Sequence, residues 1–311
     1  MSDLITQRKS MSYDTQIGKY YLLLRKKSLK LGLSKSITIP YVVRHIGEMA
    51  SKHGDIPTII DFGCSEGDIL NEINSLLQDK VMSLIGLDYN KNIIKKAQKN
   101  YPEVEFINHD ITTNSLAKFK GNADVALCIN TLHEVFSFHS FNGKFKPESG
   151  IQAIRETIKN ISSTLKPGGI FVMFDGVESY LDLNRKITIE LKSTAVEKSL
   201  KMFKEEYGPY KIHFKKIRPL VYELDLLSFT RFITKYRFLN SLAWSLEKEE
   251  SYQYFNKLEF VELFQENDFR IEAMNLLSPN RGIWSDYVNI LDSDITFPYE
   301  HVLLVGKKRQ T

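Results

Sequence analysis

Three aspartates in the first half of the chain stand at or just past the ends of short apolar runs, where a side chain can meet a ligand while its strand stays in the core. In IIDFGCSEGDIL (residues 59–70) Asp61 precedes Gly63, Cys64, Ser65 and Gly67. Glycines in such a turn permit positive φ and let the backbone approach a ligand closely, while the helix start beyond offers unpaired N–H groups. In IGLDYN, Asp88 ends the next apolar run, followed by Tyr89. A carboxylate at that strand end accepts the two hydroxyls of a ribose in nucleotide-binding doubly wound folds. FINHDIT places Asp110 and Ile111 just past a third run, and ADVALCINTLHEV places Asn130, Thr131, His133 and Glu134 past a fourth. Histidine titrates near neutral pH, so His133 suits a general base, or it packs at a helix start. Glu134 is either a second such group or a helix N-terminal charge favoured by the dipole.

These residues need a frame of short strands and crossover helices, and from Pro57 the apolar rhythm supplies it. We read strands at 58–62, 82–88, 103–108, 123–129 and 169–175, with helices at 66–78, 91–100, 114–119 and 150–165. The last helix ends in LKPGG, which stops it. Residues 1–54 carry helical patterning, with Ile17, Tyr20, Tyr21 and Leu24 on one face and Tyr41, Val42, Ile46 and Met49 on another; the RKKSLKLGLSKS stretch between them reads as loop. After Gly176 the rhythm stops for about eighty residues, too long for a simple connection. That stretch reads as an insertion with helices at 182–206, 223–236 and 239–248, rich in Tyr, Phe and Trp. A helix at 256–267 and strands at 270–275 and 301–308 complete the chain.

The five segments, in this order and spacing, resemble the class I S-adenosylmethionine (SAM) dependent methyltransferases. The Asp61–Gly67 turn is similar to their first motif, with Ser65 where the middle glycine usually stands. LKPGGIFVMFD looks like the lead into their fifth strand. The resemblance covers residues 55–176 by motif and 256–308 by topology, and leaves the insertion uncovered. It implies an α/β, doubly wound, mostly parallel seven-stranded sheet with a reversed last strand, N-terminal helices and a helical lid after strand five. The expected division is 1–54 helical segment, 55–176 cofactor-binding core, 177–255 lid and 256–311 core completion. The implied cofactor is SAM, leaving as S-adenosylhomocysteine, held by Asp61, Gly63, Cys64, Gly67, Asp88, Tyr89, Asp110, Ile111, Asn130 and Thr131, with Tyr20 closing over it or packing in the core. A reversed last strand would bring Tyr299 and His301 to the same sheet edge as His133, making His301 a second candidate base. Lys215, Lys216 and Arg218 in KKIRPL meet an anionic group or form a solvated face.

The remaining features bound the alternatives. A net charge of +4 with a pI near 8.7 is only mildly basic, which leaves the substrate open. Two cysteines, Cys64 and Cys128, build neither a metal site nor a disulfide framework and fit a cytoplasmic home. The N-terminus lacks a signal-like apolar core, and no apolar run approaches the ~18 residues of a membrane span. A dehydrogenase would require G-x-G-x-x-G, and the turn reads GCSEGD. The expected activity is methyl transfer to O, N or C of a small-molecule, metabolite-like acceptor. Two alternatives stand beside it. One is an enzyme acting on RNA or protein, although NTLHEV lacks the Asn/Asp-Pro-Pro-Tyr segment of enzymes that methylate amide or exocyclic amino nitrogens. The other is a non-catalytic scaffold, which the three retained aspartates oppose.

Overall fold

The computed structural model describes residues 33–50, 56–77, 81–142 and 144–310. Its centre is a seven-stranded sheet built from β1 (Thr58–Phe62), β2 (Ser83–Asp88), β3 (Glu105–Asn108), β4 (Ala123–Ile129), β5 (Leu165–Gly176), β9 (Phe269–Leu277) and β11 (His301–Lys308). The strand order is β9-β11-β5-β4-β1-β2-β3. Pairings among β1 to β5 are parallel, and β11 runs antiparallel to both β5 and β9. The mostly parallel seven-stranded sheet and its reversed last strand therefore agree with the sequence expectation.

The central strands are predominantly apolar because both sheet faces are covered; β4 is buried at every position, Asp124 included. On one face lie α1 (Leu33–Ala50), α2 (Asp68–Leu76) and α3 (Lys91–Asn100), through residues such as Val42, Ile46, Leu70, Ile73 and Ile94. On the other lie α4 (Leu132–Ser140), α5 (Pro147–Thr164) and α8 (Lys257–Glu266). Local chemistry sets several helix starts. Asn90 caps α3 by accepting from the N–H groups of Asn92 and Ile93, and Asn256 with Glu259 forms a capping box on α8, each satisfying orphan donors. At the edge away from the glycine turn, Asp124 accepts from Thr58 N–H and pairs with Lys166 at 2.8 Å, tying β4 to β1 and β5.

The insertion differs from the helical expectation in kind. It carries a four-stranded antiparallel sheet of order β10-β6-β8-β7, formed by β6 (Lys186–Leu191), β7 (Phe214–Arg218), β8 (Val221–Asp225) and β10 (Val288–Ile290), alongside α6 (Thr194–Glu206) and α7 (Leu226–Lys235). The segment expected as one helix over 182–206 opens as a strand. KITIEL alternates buried and partly exposed residues with period two, a half-buried strand pattern that the helical formers after it obscure. β10 comes from the connection between β9 and β11, so that loop folds with the insertion. Aromatic residues including Phe203, Tyr222, Phe229, Phe232 and Trp244 form the insertion's own core. Within it Lys235 is fully buried and donates to Glu247 at 2.6 Å, while the Tyr252 hydroxyl donates to the same carboxylate oxygen at 2.6 Å.

Candidate active site

The carboxyl ends of β1, β2, β3, β4 and β5 and the start of β11 meet at one edge, where ligands bind in open α/β sheets. After β1 the chain alternates into left-handed backbone at Gly63 (φ 85°), Ser65 (φ 51°) and Gly67 (φ 84°). The departure at Ser65 thus keeps the conformation a glycine would take, at a steric cost. Both Gly63 and Cys64 donate backbone N–H to the Leu87 carbonyl, at 2.8 and 3.0 Å. Gly63 is irreplaceable on space as well, since a Cβ there would lie 2.2 Å from Thr131 Oγ1. The first turn is therefore pressed against the end of β4, which makes the two loops one structure.

Asp61 is buried at 1% exposure in β1. Asp88 is buried at the end of β2, where its two carboxylate oxygens accept from the N–H groups of Ser65 (3.0 Å) and Asn90 (2.8 Å). Burial raises its pKa, and the two backbone bonds oppose the rise. A carboxylate has about four acceptor sites, so these two bonds leave capacity for hydroxyl donors. Cys64 is buried against this loop. Asp110 is exposed and accepts from the Thr112 N–H and hydroxyl in an Asx turn, whereas Ile111 beside it is buried. Tyr89, directly after β2, is exposed. Asn130 adopts a left-handed φ of 53° and its N–H bonds the Phe174 carbonyl at 2.7 Å. Tyr20, and with it any closure from the N-terminal residues, lies outside the described residues.

The residue that organises the β4–β5 side is Asp175, which sequence reasoning quoted within FVMFD without singling it out. The signal was available, because it is another acid at the end of an apolar strand. Wholly buried, its carboxylate accepts from the N–H groups of Thr131 (2.8 Å), Leu132 (2.8 Å), His133 (3.3 Å) and Gly176 (2.7 Å) and faces His133 Nδ1 at 2.8 Å. It is the anion at the start of α4, a place the helix dipole favours. Burial alone would lower the His133 pKa, but the Asp175 charge and hydrogen bond overcome it and raise it to about 9. The pairing with Asp175 thus moves His133 above the ordinary imidazole value on which its reading as a base rests. Glu134, beside it in the first turn of α4, is exposed.

His301 opens β11 opposite Gly176, so the expected meeting of this strand with the end of β5 is present. Its ring stacks on Phe174 at 4.8 Å, and its buried Nδ1 has no hydrogen-bond partner. Burial lowers its pKa despite neighbouring Glu300. Tyr299 is exposed beside it. Also unforeseen is the segment at Tyr252–Phe255. The Tyr252 ring meets His133 edge-on at 4.7 Å, and Tyr254 stacks on Phe136 at 5.2 Å. Lys215, Lys216 and Arg218 lie on the exposed strand β7, with Lys216 paired to Glu197 at 2.6 Å. That placement is the solvated face. Among the described residues no group of acids, cysteines and histidines could hold a metal ion, and no helix is long and apolar enough to cross a membrane.

A mostly parallel doubly wound sheet with a reversed last strand, a left-handed glycine turn after β1 and acids at the strand ends define an α/β protein of the Rossmann-like type. Residues 55–257, more than half of the chain, match the model of the family described as "Methyltransferase domain", and the chain belongs to that family. A curated relative, "Putative methyltransferase 235L" of Invertebrate iridescent virus 6, is 30% identical over 159 residues, which are 49% of this chain and 59% of that protein. The match thus spans less than two thirds of the relative's length. Among solved structures, the DszA carbon methyltransferase aligns at 12% identity and a TM-score of 0.49, covering 89% of this chain and 54% of the other. A SAM-dependent methyltransferase of Methanosarcina mazei aligns at 13% identity and a TM-score of 0.44, covering 85% and 97%.

Proposed function

We propose that this protein transfers the methyl group of SAM to a small-molecule acceptor held between the sheet edge and the insertion. The observation that carries the proposal is the left-handed glycine turn pressed against Thr131, with Asp88 and the Asp175–His133 pair at the same sheet edge, in a chain of the methyltransferase-domain family. The cofactor supplies an electrophilic methyl on a sulfonium. The residues that fit it are the Gly63–Gly67 backbone, Asp88 for the ribose hydroxyls, Asp110 and Ile111 for the base, and Asn130 and Thr131 beside the transferring end. Asp61, Cys64 and Tyr89 line the same loops.

The protein's own part is alignment and proton management. His301, whose pKa burial lowers, accepts the proton that an O, N or C acceptor loses. His133, charged and fixed by Asp175, stabilises negative charge as it develops on the acceptor. Pairs of titratable groups pushed apart in this way are how one site divides acid and base roles. In this reading the insertion closes over the edge, a role supported by the packing of its Tyr252 on the His133 ring. The test is calorimetric titration with SAM and S-adenosylhomocysteine. Saturable one-to-one binding that weakens at least tenfold in Asp88→Ala is expected; no heat with either compound overturns the proposal.

A further inference from the structure

Arg231 lies on α7 and is 5% exposed, yet its guanidinium forms no hydrogen bond or ion pair with any described residue. Its one close contact is the Tyr210 ring, whose centroid lies 3.3 Å from the guanidinium carbon. Stacking satisfies a face of the guanidinium and leaves its N–H edge unused. A buried charge without a counter-ion costs several kcal/mol by itself, so the structure holds this cation for something.

The surroundings say what. Glu178, two residues beyond the end of β5, has a buried, unpartnered Oε1. Burial pushes its pKa up to about 7 against the pull of Arg231, so it is only a partial counter-charge. Gln253 is 1% exposed, donates to Thr234 on α7 at 3.3 Å and leaves its carbonyl oxygen unpartnered. The buried Tyr207 hydroxyl is unpartnered too. Native proteins rarely leave several buried polar groups unsatisfied in one place unless a ligand or water completes them.

The cluster also faces the candidate active site. Arg231 is one turn from Lys235 on the same face of α7, and Lys235 sits 3.7 Å over the Tyr252 ring that meets His133. Tyr210 meets Phe145 edge-on at 4.7 Å, and Phe145 in turn meets Phe136 of α4. An aromatic wall therefore runs from Arg231 to the helix that carries His133.

Resting on the methyltransferase reading above, we propose that Arg231, with Tyr210 behind it and Glu178 and Gln253 beside it, is the subsite that binds a carboxylate on the methyl acceptor. A carboxylate matches the guanidinium fork in a bidentate, charge-assisted pair. A phosphate dianion does not suit the site, because one cation stands there beside the carboxyl of Glu178. The unused oxygens of Glu178 and Gln253 take a hydroxyl or amino donor on the same molecule. The acceptor class is a small aromatic or apolar acid carrying such a donor.

The test uses 4-hydroxybenzoate as probe and 4-hydroxybenzamide as its neutral counterpart, with binding read by calorimetry and thermal shift. Wild-type protein is expected to bind the acid and be stabilised by it, with the amide at least tenfold weaker. Arg231→Met and Arg231→Gln should be at least as heat-stable as wild type without ligand and lose the preference for the acid. Glu178→Gln should bind the acid more tightly, which keeps the test readable if both arginine variants fail to fold. Equal binding of acid and amide by wild type overturns the proposal, as does undiminished acid binding by a folded arginine variant. SAM titration of the same preparations separates the two readings. Failure to bind SAM with intact acid preference removes the methyltransferase proposal alone; SAM binding without acid preference removes this subsite alone.

Discussion

A buried imidazole loses the water that would stabilise its cation, so burial by itself makes histidine neutral; His301 follows this rule and His133 breaks it because Asp175 is 2.8 Å away. The consequence for stability has a definite sign. His133 has a folded pKa of about 9 above an unfolded value near 6.5, so its pairing stabilises the fold fully below pH ~6.5 and is lost as pH rises through about 9. Melting temperature should therefore fall between pH 7 and 9.5, and Asp175→Asn should flatten that fall while costing ~3 kcal/mol at pH 7. An NMR titration of the imidazole protons should show one histidine near 9 that moves down in Asp175→Asn. A wild-type His133 titrating at or below its ordinary value would contradict the pairing. At the glycine turn, Ser65→Gly should raise stability by ~0.5–1 kcal/mol, because it relieves a left-handed non-glycine residue while keeping the N–H bond to Asp88. Gly63→Ala should cost at least ~2 kcal/mol, since both its φ and its distance from Thr131 oppose a Cβ. Urea denaturation of the two variants measures both effects.

Among elements, legibility followed how local the cause was. The strands of the main sheet were readable because TIIDF, SLIGLD and ADVALCI are continuous apolar runs bounded by turn residues, which buried parallel strands require. The positions of Asp88 and His133 were readable because each stands at or just past the end of a continuous apolar run, at the edge where strands give way to loops. Asp175 belongs to the same pattern; its role emerged only when four N–H groups were seen to converge on it. The insertion's sheet was not legible, since β6 pairs on one side with β8 and on the other with β10, about a hundred residues later in the chain. Arg231 and Glu178 were missed for the same reason, as burial is set by packing between distant segments. One element within the insertion invites measurement. Lys235, Glu247 and Tyr252 share one buried carboxylate oxygen, so Lys235→Met alone strands a buried charge and should cost ~3–5 kcal/mol. Replacing all three by Met, Leu and Phe should recover most of that loss, as read by chemical denaturation.

Across the whole molecule, the candidate cofactor loops and the insertion belong to different packing units. The loops at 61–68, 87–92, 108–113 and 129–134 hang from the main sheet, while the insertion has its own core. S-adenosylhomocysteine should therefore slow amide hydrogen exchange in those four loops and leave β6, β7 and β8 unchanged. Uniform slowing of both units would show that they respond as one body to the cofactor.

The strand β10 has a bearing on heredity and on engineering. Because it returns from the far side of β9 to complete the insertion's sheet, that sheet is encoded in two stretches of chain separated by an entire helix and strand of the core. Exchange of residues 177–255 alone between relatives would set β6 of one sequence against β10 of the other, and where the two do not match β6 is left as an open strand edge. Specificity in such a protein can change by substitution within the insertion, or by joint exchange of both stretches. A chimera that transplants only the longer stretch should be recovered as aggregate, whereas one that also carries residues 278–300 should be recovered folded.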